Sequence, residues 1–170
     1  MEAIKQRRSV RRFKSDPVKE EDLRKILDAA RWAPSAGNMQ PLELVVVKDE
    51  EAKQRLARAS PDHSFIAEAS VVIVVCANVP RTTRRYGHRG ARLYVVQDTA
   101  AAAQNIHLAA YSLGYNTCWV GAFDDEEVAR VIRVPDSVRP MTIIPLGRPA
   151  EEPHPPSRLP LDEIVHENHF

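Results

Sequence analysis

Between Ser70 and Asn78 the chain carries seven consecutive apolar side chains, Val71-Val72-Ile73-Val74-Val75-Cys76-Ala77, five of them β-branched. Successive side chains of a strand point to opposite faces, so a strand that is apolar throughout meets no water on either side. β-branching favours strand over helix, and a run of this length falls far short of the ~18 to 20 apolar residues of a membrane-crossing helix. The run therefore reads as a strand at the centre of its sheet, and no stretch of the chain reads as a membrane span.

The remaining elements arrange themselves around it. Residues 2–8 read as a short helix anchored by Ile4. Pro17 opens an amphipathic helix with acids at Glu20, Glu21 and Asp22 in its first turn and an apolar face of Leu23, Ile26, Leu27 and Ala30. Pro34 stops it, and residues 35–41 are a loop by composition. Residues 42–48 form a buried strand and 49–59 a charged surface helix. Residues 80–92 read as an arginine-rich polar loop. A long helix over about 93–113 follows, closed by Gly114; its alanines suit a central helix packed on both sides. Residues 116–120 and 141–146 are strands, with a short helix at 126–132 between them.

The length of 170 residues suits one domain or half of an obligate dimer. Lys plus Arg number 24 against 23 Asp plus Glu, a balance that argues against a dedicated nucleic-acid binder. The charge is unevenly spread, however. The first fourteen residues hold six Lys/Arg against one Glu, and residues 81–92 hold five Arg and no acid. The amino terminus lacks an apolar signal segment, from which a cytoplasmic location is expected. Cys76 and Cys118 lie in apolar stretches and make no metal or redox motif, so a reduced, buried pair is expected. Residues 149–170 form a proline-rich tail that ends in the partly apolar Leu161-Asp162-Glu163-Ile164-Val165.

Several standard sites are absent: no GxGxxG, no GxxxxGK[ST], no GxSxG. His166 and His169 form an HxxH in the tail with no nearby cysteine or paired acid, which fits a solvated tail better than a metal site. Four other features carry possible chemistry. Arg7-Arg8-Ser9-Val10-Arg11 offers guanidinium groups and a hydroxyl, the donors that recognise phosphate; it also fits a solvated basic turn or a nonspecific nucleic-acid arm. Asn38 and Gln40, in the loop Pro34-Ser35-Ala36-Gly37-Asn38-Met39-Gln40-Pro41, suit a heterocycle edge with alternating donors and acceptors, or an ordinary turn. Gly121 follows a strand end and frees a backbone N–H for a flat ligand. Arg148 stands at another strand end in Pro145-Leu146-Gly147-Arg148-Pro149.

Taken in order and together with Gly114-Tyr115-Asn116-Thr117-Cys118-Trp119-Val120-Gly121-Ala122-Phe123, these segments resemble the compact branch of the FMN-dependent nitroreductase family across essentially the whole chain. The resemblance implies an α+β fold: a mixed, mainly antiparallel sheet flanked by helices, one domain over residues 1–170, in an intertwined homodimer whose residues 149–170 wrap the partner. It implies FMN sites at the interface. Arg7 and Arg148 would hold the FMN phosphate with Arg8 assisting, Gly147 beside Arg148, and Ser9 would contact the phosphate or ribityl chain. Arg11 would sit near flavin N1 and O2. Pro34, Ser35, Asn38 and Gln40 would line the ring from the other subunit, with the N–H of Gly121 or Ala122 toward N5 and O4. Leu42 departs from the tryptophan that many relatives carry after Gln-Pro.

The implied activity is hydride transfer from NADH or NADPH to flavin N5, then reduction of a small planar acceptor such as a nitroaromatic or quinone, in a ping-pong cycle. No side chain need be catalytic in its own right; Arg11 and Gly121 would tune the flavin. No nucleic acid, membrane or metal is implied. The alternatives within the fold are a dehalogenase, a flavin-cleaving enzyme, or a non-catalytic flavin carrier or sensor.

Overall fold

A computed structural model describes residues 1–170. The apolar run lies in β2 (Val71–Asn78), flanked on one side by β1 (Leu42–Val47) and on the other by β4 (Val138–Gly147), with the two-residue β3 (Asn116–Thr117) at the far edge. Alternation along β2 divides the interior in two. Val72, Val74 and Cys76 point into one core with Leu56, Phe65, Ile66, Val128 and Ile143. Val71, Ile73 and Val75 point into the other with Leu23, Ile26, Ile106, Ile144 and Leu146. β2 is thus a central strand buried on both faces, as its sequence requires.

The helices follow from their apolar stripes. α2 (Glu20–Arg31) and α5 (Val95–Ser112) pack on each other and on the second core. α3 (Glu50–Arg58) and α6 (Asp125–Ile132) cover the first, capped by Asp49 and Asp124, whose side chains accept from Ala52 N–H and Glu127 N–H. α1 (Glu2–Gln6) precedes the basic segment. Both cysteines are free and buried, and burial pushes the Cys76 thiol up to about 12. No helix is long and apolar enough to cross a membrane.

Several elements differ from their sequence expectation. The sheet is antiparallel at all three pairings, not mixed; the one parallel contact is the isolated bridge of Ser9 to Thr117. α2 begins at Glu20, not Pro17, because Val18 N–H donates to Ser70 Oγ (2.9 Å) and Lys19 N–H to the Tyr115 hydroxyl (3.2 Å) from extended backbone. β4 starts at Val138 despite Pro140; the register slips between Val75 and Cys76 so that Met141 bulges out beside the proline. β3 leaves the ladder at Cys118, and Val120 rejoins it through a bridge to Ile143.

The largest difference is at residues 80–92, which are helical. α4 (Val79–Arg89) begins with Pro80 in its first turn, kinks at Gly87 (φ 51°, ψ −138°), and runs through a π-helical turn, Gly90–Tyr94, into α5. Its only buried contacts are Thr82 and Gly90, so no apolar stripe announces it. The tail after Pro149 holds only a single short turn, and every residue from 154 on is exposed.

Candidate functional site

The amino-terminal basic segment is held in place by its apolar members. Arg7 leaves the helical region (φ −52°, ψ 137°), ending α1, and Val10 and Phe13 then enter the core. Val10 N–H donates to Thr117 O (3.1 Å), laying the segment along β3. Arg7, Arg8, Ser9 and Arg11 thereby line one face of a cavity of about 300 Å³, and the tail returns to close it with His154 and Arg158. The tail is steered there by Ala150 N–H donating to Arg12 O (2.9 Å) and by Glu151 accepting from Arg11 N–H (2.5 Å).

None of these four guanidinium groups has a carboxylate partner for its side chain. Arg8 donates to the backbone oxygens of Lys5 (2.8 Å) and Arg7 (2.9 Å), and Arg158 to that of Ser157 (2.9 Å). The Arg7 Nε is buried without a partner, and burial, then repulsion from Arg158 and Arg8, holds its guanidinium below the usual arginine range. Like charges converging on one cavity with an orphaned donor call for a multivalent anion, and guanidinium forks match phosphate oxygens.

Arg148, expected to share this role with Arg7, stands elsewhere. Its guanidinium lies 4.4 Å over the Tyr115 ring and donates to Gly114 O (2.9 Å), in a different cavity beside Lys14 and Lys19. Beside it Phe13 bridges Pro149, and Lys14 N–H donates to Arg148 O (2.9 Å). Gly147 is likewise a packing position: a Cβ there would meet the Phe13 ring at 3.0 Å. The tail arginine that does reach the phosphate-like cavity, Arg158, escaped the sequence reading. Its only signal was a lone arginine among prolines.

Beside the cavity lies a buried histidine that was also missed. His107, on α5, is 1% exposed; its Nδ1 lies 2.6 Å from Thr117 Oγ1 and its ring stacks on Trp119 at 5.6 Å. Burial first, and Arg7 second, lower its pKa to about 3. His107 therefore stays neutral and adds no further positive charge next to Arg7. The Cys118 thiol, hydrogen-bonded by Ser9, is pushed up by burial against the opposing pull of Arg11.

The loop bearing Pro34, Ser35, Asn38 and Gln40 does not reach the arginine cavity within this chain. Gly37, Asn38 and Gln40 take positive φ (54°, 57° and 48°), which curls the loop tightly and leaves the Asn38 and Gln40 side chains exposed. Ser35 Oγ accepts from Gln40 N–H (3.0 Å), and Ala36 N–H donates to Asp98 (3.1 Å), whose carboxyl burial raises. Pro34, Ser35 and Gln40 line a small cavity of about 130 Å³ with Asp98. Gly121 and Ala122 follow the bridged Val120, and Ala122 opens onto a cleft of about 820 Å³ with Phe123 and Arg58. The structure thus unites Arg7, Arg8, Ser9 and Arg11, leaves Arg148 and Gly147 outside, and presents the loop of residues 34–40 on a separate surface.

A model described as the nitroreductase family matches residues 4–63 and 59–148. The chain is 38% identical to a Methanothermobacter thermautotrophicus protein whose name joins NADH dehydrogenase and NAD(P)H nitroreductase, over 90% of this chain and 78% of that protein. It is 32% identical to an NADH dehydrogenase of Thermus thermophilus, over 96% of this chain and 93% of that one. Among solved structures, the NADPH:FMN oxidoreductase of Vibrio harveyi complexed with NAD+ superposes with a TM-score of 0.91 at 27% identity, covering 99% of this chain and 76% of that one.

Proposed function

The chain belongs to the nitroreductase family of NAD(P)H-dependent oxidoreductases, and from that premise we propose that it is an FMN enzyme that reduces a small planar acceptor, such as a nitroaromatic or a quinone. The observation that carries the cofactor assignment is the cavity where Arg7, Arg8, Arg11 and Arg158 converge without a counter-ion. FMN held there would supply the redox chemistry, with NADH or NADPH as the hydride donor and the acceptor reduced in a second half-reaction of a ping-pong cycle.

The chain's own residues bind and orient. Arg7, Arg8 and Arg158 hold the phosphate, with the Ser9 hydroxyl as a neutral donor. Arg11 supplies positive charge at the N1/O2 edge of the ring, where negative charge collects on reduction. Backbone N–H of Gly121 or Ala122 serves the N5/O4 edge. Pro34, Ser35, Asn38 and Gln40 complete the ring site from a second copy of the chain, consistent with their separate, exposed surface in the single chain. The tail supports the homodimer: Leu159, Leu161, Ile164, Val165 and Phe170 are all more than half exposed, and a partner subunit is the surface that would cover them.

The test is direct. Protein purified after addition of FMN is expected to show flavin absorbance near about 450 nm that bleaches on anaerobic addition of NADH or NADPH and returns with a quinone. A protein that takes up no FMN contradicts the proposal, and one that binds FMN but resists bleaching is a carrier instead.

A further inference from the structure

The second basic cluster lies on α4 and the π-helical turn that follows it. No acid occurs anywhere from residue 69 to residue 97. Arg81 is neutralised by Glu43 (2.6 Å). Arg84, Arg85, His88, Arg89 and Arg92 are exposed and none makes an ion pair. This charge is organised around aromatic rings. Tyr86 and Tyr94 meet edge to face at 5.1 Å; the Arg85 guanidinium lies 5.3 Å over Tyr86 and that of Arg89 lies 5.5 Å over Tyr94, with Arg89 Nε donating to the Tyr94 hydroxyl (3.0 Å). The cluster is also tied to the ring-lining loop. The Tyr86 hydroxyl and the Arg85 guanidinium lie directly against Gly37, within 3 Å of where a Cβ would stand.

We propose that this cluster binds the 2′-phosphoadenosine end of NADPH, so that NADPH rather than NADH is the working electron donor. The inference rests on the flavin reading above, in which the Gly37 loop, and with it this cluster, flanks the flavin of a second copy. The two donors differ by one phosphomonoester, which carries about −1.5 to −2 charges at neutral pH. The unpaired arginines, two of them (Arg85 and Arg89) held by ring contacts rather than by carboxylates, are available to that group without breaking an ion pair. The guanidinium planes of Arg85 and Arg89, each laid over a tyrosine ring, offer the adenine a stacking surface. His88, across the Gly87 kink, adds a donor on the same exposed segment.

The experiment uses FMN-loaded protein and compares NADPH with NADH by kcat/KM. NADPH is expected to be favoured by about tenfold or more, as paired charge-assisted hydrogen bonds to one phosphate allow. The double variant Arg84→Glu, Arg89→Glu is expected to bring the NADPH-to-NADH ratio close to one, while Arg84→Lys, Arg89→Lys retains part of it. Flavin content and far-UV circular dichroism confirm that each variant is folded. In wild type, added salt raises the KM for NADPH more than that for NADH, and 2′-AMP competes with NADPH more strongly than 5′-AMP or inorganic phosphate. Equal use of both nucleotides, or equal competition by all three anions, overturns the inference while leaving the flavin reading intact. Failure of either nucleotide to bleach bound FMN overturns the flavin reading and this inference with it.

Discussion

The two arginine clusters look alike as strings of residues and differ as physical objects. At Arg7, Arg8, Arg11 and Arg158 the guanidinium groups converge on one cavity, one Nε is buried unpaired, and burial depresses the Arg7 pKa. On α4 the guanidinium groups are exposed, and two lie over tyrosine rings. Charge that is desolvated and crowded is costly until an anion occupies the space, so the first cluster is suited to a resident, tightly held phosphate. Charge that remains hydrated and ring-supported suits a ligand that arrives and leaves. Convergence on one cavity around the buried Arg7 Nε, not the number of arginines, separates the two; Arg11 and Arg158 are themselves exposed.

Substitutions can break that contrast. The largest effect is expected from Arg7→Ala, which should weaken FMN binding by about a hundredfold or more, since it removes a partly buried charge-assisted contact; fluorescence titration with FMN measures it. Arg158→Ala should weaken FMN by about tenfold to a hundredfold, because its guanidinium reaches the same cavity from the tail. Arg148→Ala should leave FMN affinity nearly unchanged, yet lose its tyrosine contact and hydrogen bond, worth about 1 kcal/mol, and lower Tm by about 2 to 4 °C. If Arg148→Ala releases FMN as readily as Arg158→Ala, the assignment of the two arginines is reversed.

A smaller effect concerns pH. His107 has a folded-state pKa of about 3, below the ordinary histidine value. The unfolded chain therefore binds the extra proton first. Stability from this site is present above about pH 6.5 and is lost progressively as pH falls below it toward the folded value. His107→Gln should flatten that part of the profile of Tm against pH. A slope that the substitution leaves unchanged would remove His107 from the account.

The tracts that name themselves in sequence are those whose side chains face one kind of surroundings. The β2 run is buried on both faces, and its composition states it. The α2 stripe of Leu23, Ile26 and Ala30 is legible in the same way. α4 looks like a loop in sequence because this stretch buries only Thr82 and Gly90, so neither helical nor strand periodicity is written into it. The arginine segment near the start was legible because its donors are contiguous. Its partner Arg158 was not, because closing the cavity depends on a tail path set by Ala150 and Glu151, more than a hundred residues away in the chain from Arg11 and Arg12. The direction of Arg148 was hidden for a related reason. An arginine flanked by prolines at a strand end announces a fixed position but not its direction, and the Tyr115 ring claims it. His107 is hidden in an alanine-rich helix, where a buried neutral histidine and a surface one look the same.

The central claim is that the arginine cavity holds a phosphate resident on a flavin. The measurement that tests it most directly is a pair of fluorescence titrations of apoprotein, one with FMN and one with riboflavin, which lacks only the phosphate. FMN is expected to bind more tightly by about a hundredfold or more, and that preference should shrink in Arg158→Ala. Equal affinity for FMN and riboflavin would contradict the account.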